Sequence, residues 1–153
     1  DKYRAAYKLV AEPGSSAYEK ENQAIVDDGL LWLEFYKNIP DDFAEIVKEI
    51  MKRKGITQEN LSFELGVDRK ALSNYLYQDR PSVAHVVGIC VALKVPYFIS
   101  MEILGAAGIR LRSTELDFLY RQFLLNAENL TVIRCEDILK QHNEKPLFRG
   151  EQR

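Results

Sequence analysis

Apolar residues along this chain recur at helical spacing. Phe43, Ile46, Val47, Ile50 and Met51 fall at i, i+3, i+4, i+7 and i+8, the stripe of an amphipathic helix with one face in a core. Lys48, Lys52, Arg53 and Lys54 stand on other faces or at the C-terminal end, where cations complement the helix dipole rather than clamp a phosphate. Gly55 supplies the left-handed residue that closes the helix. Thr57 is placed to cap a short helix carrying Leu61 and Leu65, and Asp68 to cap another carrying Leu72, Tyr75 and Leu76. Only Gly66 and Val67 lie between them. Ser82 and Pro96 announce two further helices over "VAHVVGICVAL" and "YFISMEILGAA", which makes five helices in about 65 residues.

The flanks are helical too. Pro13-Gly14 breaks an N-terminal segment, and Ser16 followed three residues later by Glu19 has capping-box spacing, predicting a helix from about Ala17 to Lys37 that Asn38 to Pro40 ends. Its second half, "GLLWLEFY", is apolar on nearly every side and predicts a helix sandwiched between partners, in this chain or a second copy. The run around Trp32 reads as the seam of a dimer in preference to intramolecular core, although the C-terminal patterns around Phe123 and Ile138 are suited to form such a seam or to cover Trp32. Downstream, "STELDFLYRQFLLNAENL" and "TVIRCEDILKQHNE" predict two capped amphipathic helices, and the tail "KPLFRGEQR" reads as loose. There is no strand alternation, repeat or low-complexity tract. The expected fold is all-α: a five-helix domain over 41–108, an N-terminal helical flank over 1–40 and a C-terminal helical extension over 109–153.

Composition narrows the function classes. A chain of 153 residues buries roughly 68–70% of the surface its unfolded form exposes, enough for a core without staples. No apolar stretch approaches the ~20 residues that span a bilayer, so no membrane is expected. Cys90 and Cys135 sit in apolar helical patterns with no Cys/His cluster nearby, which favours a reduced, cytoplasmic setting over a disulfide framework or a zinc site. The first residue is Asp1 in the middle of a plausible helical pattern, so part of the function is expected upstream. Residues 1–41 carry five Lys/Arg against eight Asp/Glu, 42–112 ten against eight, and 113–153 six against seven. The middle is therefore the basic part, and over a Debye length of about 8 Å acidic flanks on the far side do not cancel it.

Two short helices joined by a glycine-containing turn are the ingredients of a helix-turn-helix, whose second helix enters the DNA major groove. At about 100° per residue, Leu72, Tyr75 and Leu76 cluster on one side while Lys70, Ser73, Asn74 and Tyr77 project to the other, with Arg69 at the N-terminal edge. Arg and Lys donate to guanine O6 and N7, and Asn bonds the adenine edge, each good bidentate pair discriminating by roughly 1–3 kcal/mol. The free amides at both helix starts suit phosphate oxygens.

These residues carry a resemblance. "ITQENLSFELGVDRKALSNYL", then Arg80-Pro81-Ser82 and "ICVALKVPYFISMEIL", resembles the lambda-repressor-like, Cro/C1-type (XRE-type) helix-turn-helix family from about Phe43 to Leu104. The resemblance implies that Gln58 touches a phosphate and braces the recognition helix. It places Arg69, Lys70, Ser73 and Asn74 at base-reading positions, and Tyr77 and Arg80 at positions that meet the backbone. It implies double-stranded DNA as partner, a homodimer whose recognition helices lie ~34 Å apart, and a prokaryotic or phage-type regulator that needs no cofactor. Ser62 departs from the usual small Ala, Leu76 stands where Glu is common, and Gln78-Asp79 where the loop has Gly.

Plainer readings stand beside this one. Leu61, Leu65, Leu72 and Tyr75 identify packing, not a ligand, and an exposed polar helix face is often only solvated. His85 and His142 lack metal-ligand spacing and read as ordinary polar positions. Asp27-Asp28 and Asp41-Asp42 are sequence neighbours that point to different helix sides or cap helix starts, and no catalytic fingerprint occurs, so no enzymatic activity is expected. The rival functions are a protein-interaction module on the same fold, such as an antitoxin or adaptor, and the targeting part of a larger protein.

Overall fold

In the computed structural model, which describes residues 8–148, all regular structure is helical. The elements are α1 (Ser16–Lys37), α2 (Phe43–Lys54), α3 (Gln58–Leu65), α4 (Arg69–Tyr77), α5 (Val83–Leu93), α6 (Tyr97–Ala106), α7 (Glu115–Leu125) and α8 (Val132–Gln141), with one 3-10 turn at Ala127–Asn129. The helix starts follow the side-chain chemistry. Ser15, Asp42, Thr57, Asp68, Ser82, Thr114 and Thr131 are extended N-caps, each accepting a hydrogen bond from the amide three residues on. The first cap is Ser15, not Ser16: Gly14 at φ 85 turns the chain just before it, and Tyr18 N–H donates to Ser15 Oγ at 3.1 Å. Gly55 and Gly66 are left-handed at φ 70 and 72, closing α2 and α3 where the glycine pattern predicts.

α5 is the hub. Val86, Val87, Ile89, Cys90 and Val91 are wholly buried, and α3, α6, α7 and α8 pack around it. Each such side chain contributes about 1.5–3 kcal/mol by leaving water, which explains why a helix apolar all round is central. The stripe Phe43, Ile46, Val47, Ile50 and Met51 is buried as its spacing predicts. α5 ends on Lys94, whose left-handed backbone (φ 52) lets Nζ donate to the carbonyls of Ala127 at 3.2 Å and Leu130 at 2.6 Å. That ties the 3-10 turn to the core.

Four sequence expectations give way. Trp32 lies in this chain's own core rather than at a seam, since it and Phe35 are each 1% exposed and packed edge to face at 5.7 Å. Yet Leu30, Leu33 and Tyr36 of the same run face outward, so α1 is covered on one side only. The tail is not loose as far as it is described: Leu147 and Phe148 are buried, and Phe148 N–H donates to Glu136 at 3.2 Å. The remainder of the tail, 149–153, lies outside the described residues, as does 1–7. His85 is no ordinary polar position either. It stacks on Phe148 at 5.3 Å and packs on Tyr75 at 4.1 Å, because an imidazole offers a flat face to neighbouring rings. The predicted helix "STELDFLYRQFLLNAENL" also breaks at Asn126, whose side chain donates to Gln122 O at 2.7 Å.

Candidate nucleic-acid interface

α3 and α4 are joined through Gly66, Val67 and Asp68. The left-handed glycine reverses the chain, Val67 N–H donates to Ser62 O at 3.0 Å, and Val67 is buried as a pivot. Asp68 then starts α4 by accepting from Ala71 N–H at 2.7 Å. Leu72, Tyr75 and Leu76 anchor α4 to the body, while Arg69, Lys70, Ser73 and Asn74 are all exposed on its other side. The wheel geometry thus becomes a shallow polar ridge that the described flanking helices leave open, presenting three donor-bearing side chains and a hydroxyl.

Around the ridge stand the residues expected to meet phosphate. Gln58 opens α3 and is half-buried; its carbonyl takes the Ser62 hydroxyl at 2.7 Å, which is how a serine is accommodated where the family has Ala. Tyr77 and Arg80 are exposed at and beyond the C-terminal end of α4. The helix stops without a left-handed residue, because Gln78 takes an extended conformation (φ −76, ψ 151), so the absence of glycine from this loop costs no strain. Sequence reasoning missed Lys48. From α2 its Nζ lies 5.6 Å from the Tyr77 ring centroid and 3.3 Å from Glu45, and the Tyr77 hydroxyl, then Glu45, raise its pKa. The charge stays on at any physiological pH, beside the end of the ridge. Periodicity could not show this, since it depends on α2 lying across α4 in space.

Behind the ridge, Tyr75 packs against His85 and, at 5.6 Å, against Phe148. α4 therefore rests on α5 and on the C-terminal segment together. Among the described residues no cluster of His, Cys, Asp and Glu is arranged to hold a metal ion, and no helix is long and apolar enough to cross a membrane.

Five helices with a tight α3-turn-α4 corner and an outward polar second helix define a helix-turn-helix domain within an all-α chain. Residues 47–98, from within α2 to the start of α6, match a family model described as helix-turn-helix, and this part of the chain is similar to helix-turn-helix domains of the Cro/C1 (XRE) type. No curated protein and no solved structure matches the chain.

Proposed function

We propose that this chain is a sequence-specific double-stranded DNA-binding protein, a repressor-like transcriptional regulator of the cytoplasm that acts as a homodimer. α4 lies in a major groove, where Arg69, Lys70, Ser73 and Asn74 meet base edges, and Gln58, Tyr77 and Arg80 hold phosphates and fix the register. Bound protein then blocks or recruits polymerase. One observation carries the reading: the four base-reading candidates are solvent-exposed while their helix neighbours Leu72, Tyr75 and Leu76 are buried, so the ridge is both rigidly backed and open.

Selection of binding sites from random duplex DNA at two salt concentrations tests it. A single enriched palindrome is expected, with affinity falling steeply as salt rises because each neutralised phosphate contributes a slope of about −0.9. Lys70→Ala and Asn74→Ala should each relax choice at one base position, whereas Arg80→Ala should weaken all sequences alike. Equal loss on selected and random DNA for all three variants overturns these roles. The interaction-module reading draws support from the small positive charge of the middle segment. A stoichiometric protein partner with no DNA retardation at low salt would decide in its favour.

A further inference from the structure

α1 has three sectors. Trp32, Phe35 and half-buried Leu31 face the body. Lys20, Gln23, Asp27 and Glu34 form an exposed polar face. The third sector, an arc of roughly 140° on the helix wheel, holds Ile25, Val26, Gly29, Leu30, Leu33 and Tyr36, with Asn22 as the single polar member of that stretch. Glu19 and Lys37 stand at its two ends, both on the side nearer the polar face. No described residue covers the apolar part: Ile25 is 42% exposed, Val26 52%, Leu30 57%, Leu33 45% and Tyr36 45%. Phe98 of α6, 50% exposed, continues the patch across a groove of about 560 Å³ that Gly29, Leu33, Tyr97 and Met101 also line.

We infer that this face is the seam of a homodimer in which α1 pairs antiparallel with α1 of a second copy. Self-matching favours a second copy over an unrelated protein. Glu19 and Lys37 share one edge of the stripe, nine residues to either side of Asp28. A two-fold axis level with Asp28 brings each Glu19 to the partner's Lys37, twice, since equivalent edges face one another across an isologous contact. The same register sets Val26 against the partner's Leu30 and the reverse. It also brings Asn22, the polar residue near the middle of the stripe, level with the partner's Glu34 on the polar face. Gly29 lies beside the axis with open space where a side chain would be, so the two backbones approach closely there. The area suffices. Six half-exposed side chains offer roughly 500 Å² of apolar surface per copy, so the pair and its polar rim clear the ~1,000 Å² that separates a specific interface from an incidental contact.

The seam rests on the homodimer of the preceding reading and gives it a location, and it is tested without DNA, so it can fail while DNA binding by α4 stands, and the reverse. Sedimentation of the 153-residue chain over a concentration series should show a monomer–dimer equilibrium. Leu30→Glu, on an exposed position that leaves the helical circular dichroism unchanged, should weaken dimerisation ~100-fold or more by burying an unpaired charge. Glu19→Lys alone should weaken it by about three- to tenfold, and the double exchange Glu19→Lys with Lys37→Glu should restore it, because exposed pairs of this kind contribute little individually but invert together. A monomer at every concentration, a dimer indifferent to Leu30→Glu, or a charge exchange that fails to restore overturns the seam.

Discussion

α4 and α1 each turn one side of a helix to water, and the two sides are opposites. α4 is nine residues long, gripped along its length by Leu72, Tyr75 and Leu76, and shows the solvent cations, an amide and a hydroxyl. α1 is 22 residues long, yet its fully buried residues are only Trp32 and Phe35, near one end, and it shows the solvent Ile25, Val26, Leu30 and Leu33. A short helix is marginal alone and needs continuous backing to hold its exposed side chains in place. A long helix with an uncovered apolar face need be fixed only at one end if something else completes it. Exposure by itself therefore says little about function; what is exposed, and how firmly the opposite face is held, says more.

The largest expected effects break each grip. Trp32→Ala should destabilise the chain by about 3–5 kcal/mol, while Leu33→Ala, one residue on, should change the stability of the dilute monomer by about 0.5 kcal/mol or less. Urea denaturation compares them. In α4 the same contrast falls between Leu72→Ala, about 2–5 kcal/mol, and Ser73→Ala, near zero for folding but not for DNA. A Trp32→Ala variant as stable as the wild type would mean that α1 is not clamped to the body at all.

A smaller effect probes what backs α4 from behind. A methyl added at Gly88 would meet the Phe148 ring, so Gly88→Ala must displace that ring from Tyr75 and His85. The expected cost is roughly 1–3 kcal/mol, and Phe148→Ala alone should cost about 3 kcal/mol. With both changes the clash vanishes and the new methyl fills part of the vacated space. The double variant should therefore be more stable than the two single costs predict, by about 1 kcal/mol or more. Additive costs would show that Phe148 and Gly88 do not share the space.

How legible this was follows from the range of each interaction. The caps at Asp42, Thr57, Asp68 and Ser82, the left-handed glycines and the stripe of α2 are local signals, and each stands where the spacing puts it. The outward set on α4 was legible for the same reason: one helix, one period, one polar side. What was not legible depends on elements meeting in space. "KPLF" contains two apolar residues after polar and turn-forming ones and no period, so burial of Leu147 and Phe148 against Gly88 left no local trace. Trp32 and Leu33 are both apolar neighbours, and only the packing of α1 on the body decides that one is core and the other surface. Lys48 beside Tyr77 is the same case with charges.

Next in size is the start of α4. Asp68→Ala removes the acceptor for Ala71 N–H and should cost about 1 kcal/mol, whereas Asp68→Asn keeps an acceptor there and should cost a few tenths. The two variants separate cap from charge at the edge of the ridge. Because a carboxylate near DNA phosphates is unfavourable, Asp68→Asn should bind DNA more tightly than wild type at low salt, and the gain should fade as salt rises. Unchanged affinity at low salt would place phosphate away from this end of α4.

The smallest effect reports on the place where α1 meets the body. Burial first, and the Lys94 charge second, lower the Lys54 pKa from 10.5 to about 8, with Asp28 of α1 partly opposing them. Between those values the unfolded chain holds the proton and the folded one does not, so stability rises with pH there. Because Lys54 is partly open to water, the gain is on the order of 1 kcal/mol rather than the full value of the shift. The thiols of Cys90 and Cys135 act the other way. Burial pushes both from 9.0 up to about 12, so above pH 9 the unfolded chain loses protons that the folded one keeps, and stability falls. Denaturation midpoints across pH 7 to 11 should thus pass through a maximum near pH 9 in the wild type. Lys54→Met should remove the rise and leave the fall, and Asp28→Asn, which takes away the opposing charge, should begin the rise at lower pH. A Lys54→Met profile that still climbs between pH 8 and 9 would show that another group titrates at this junction.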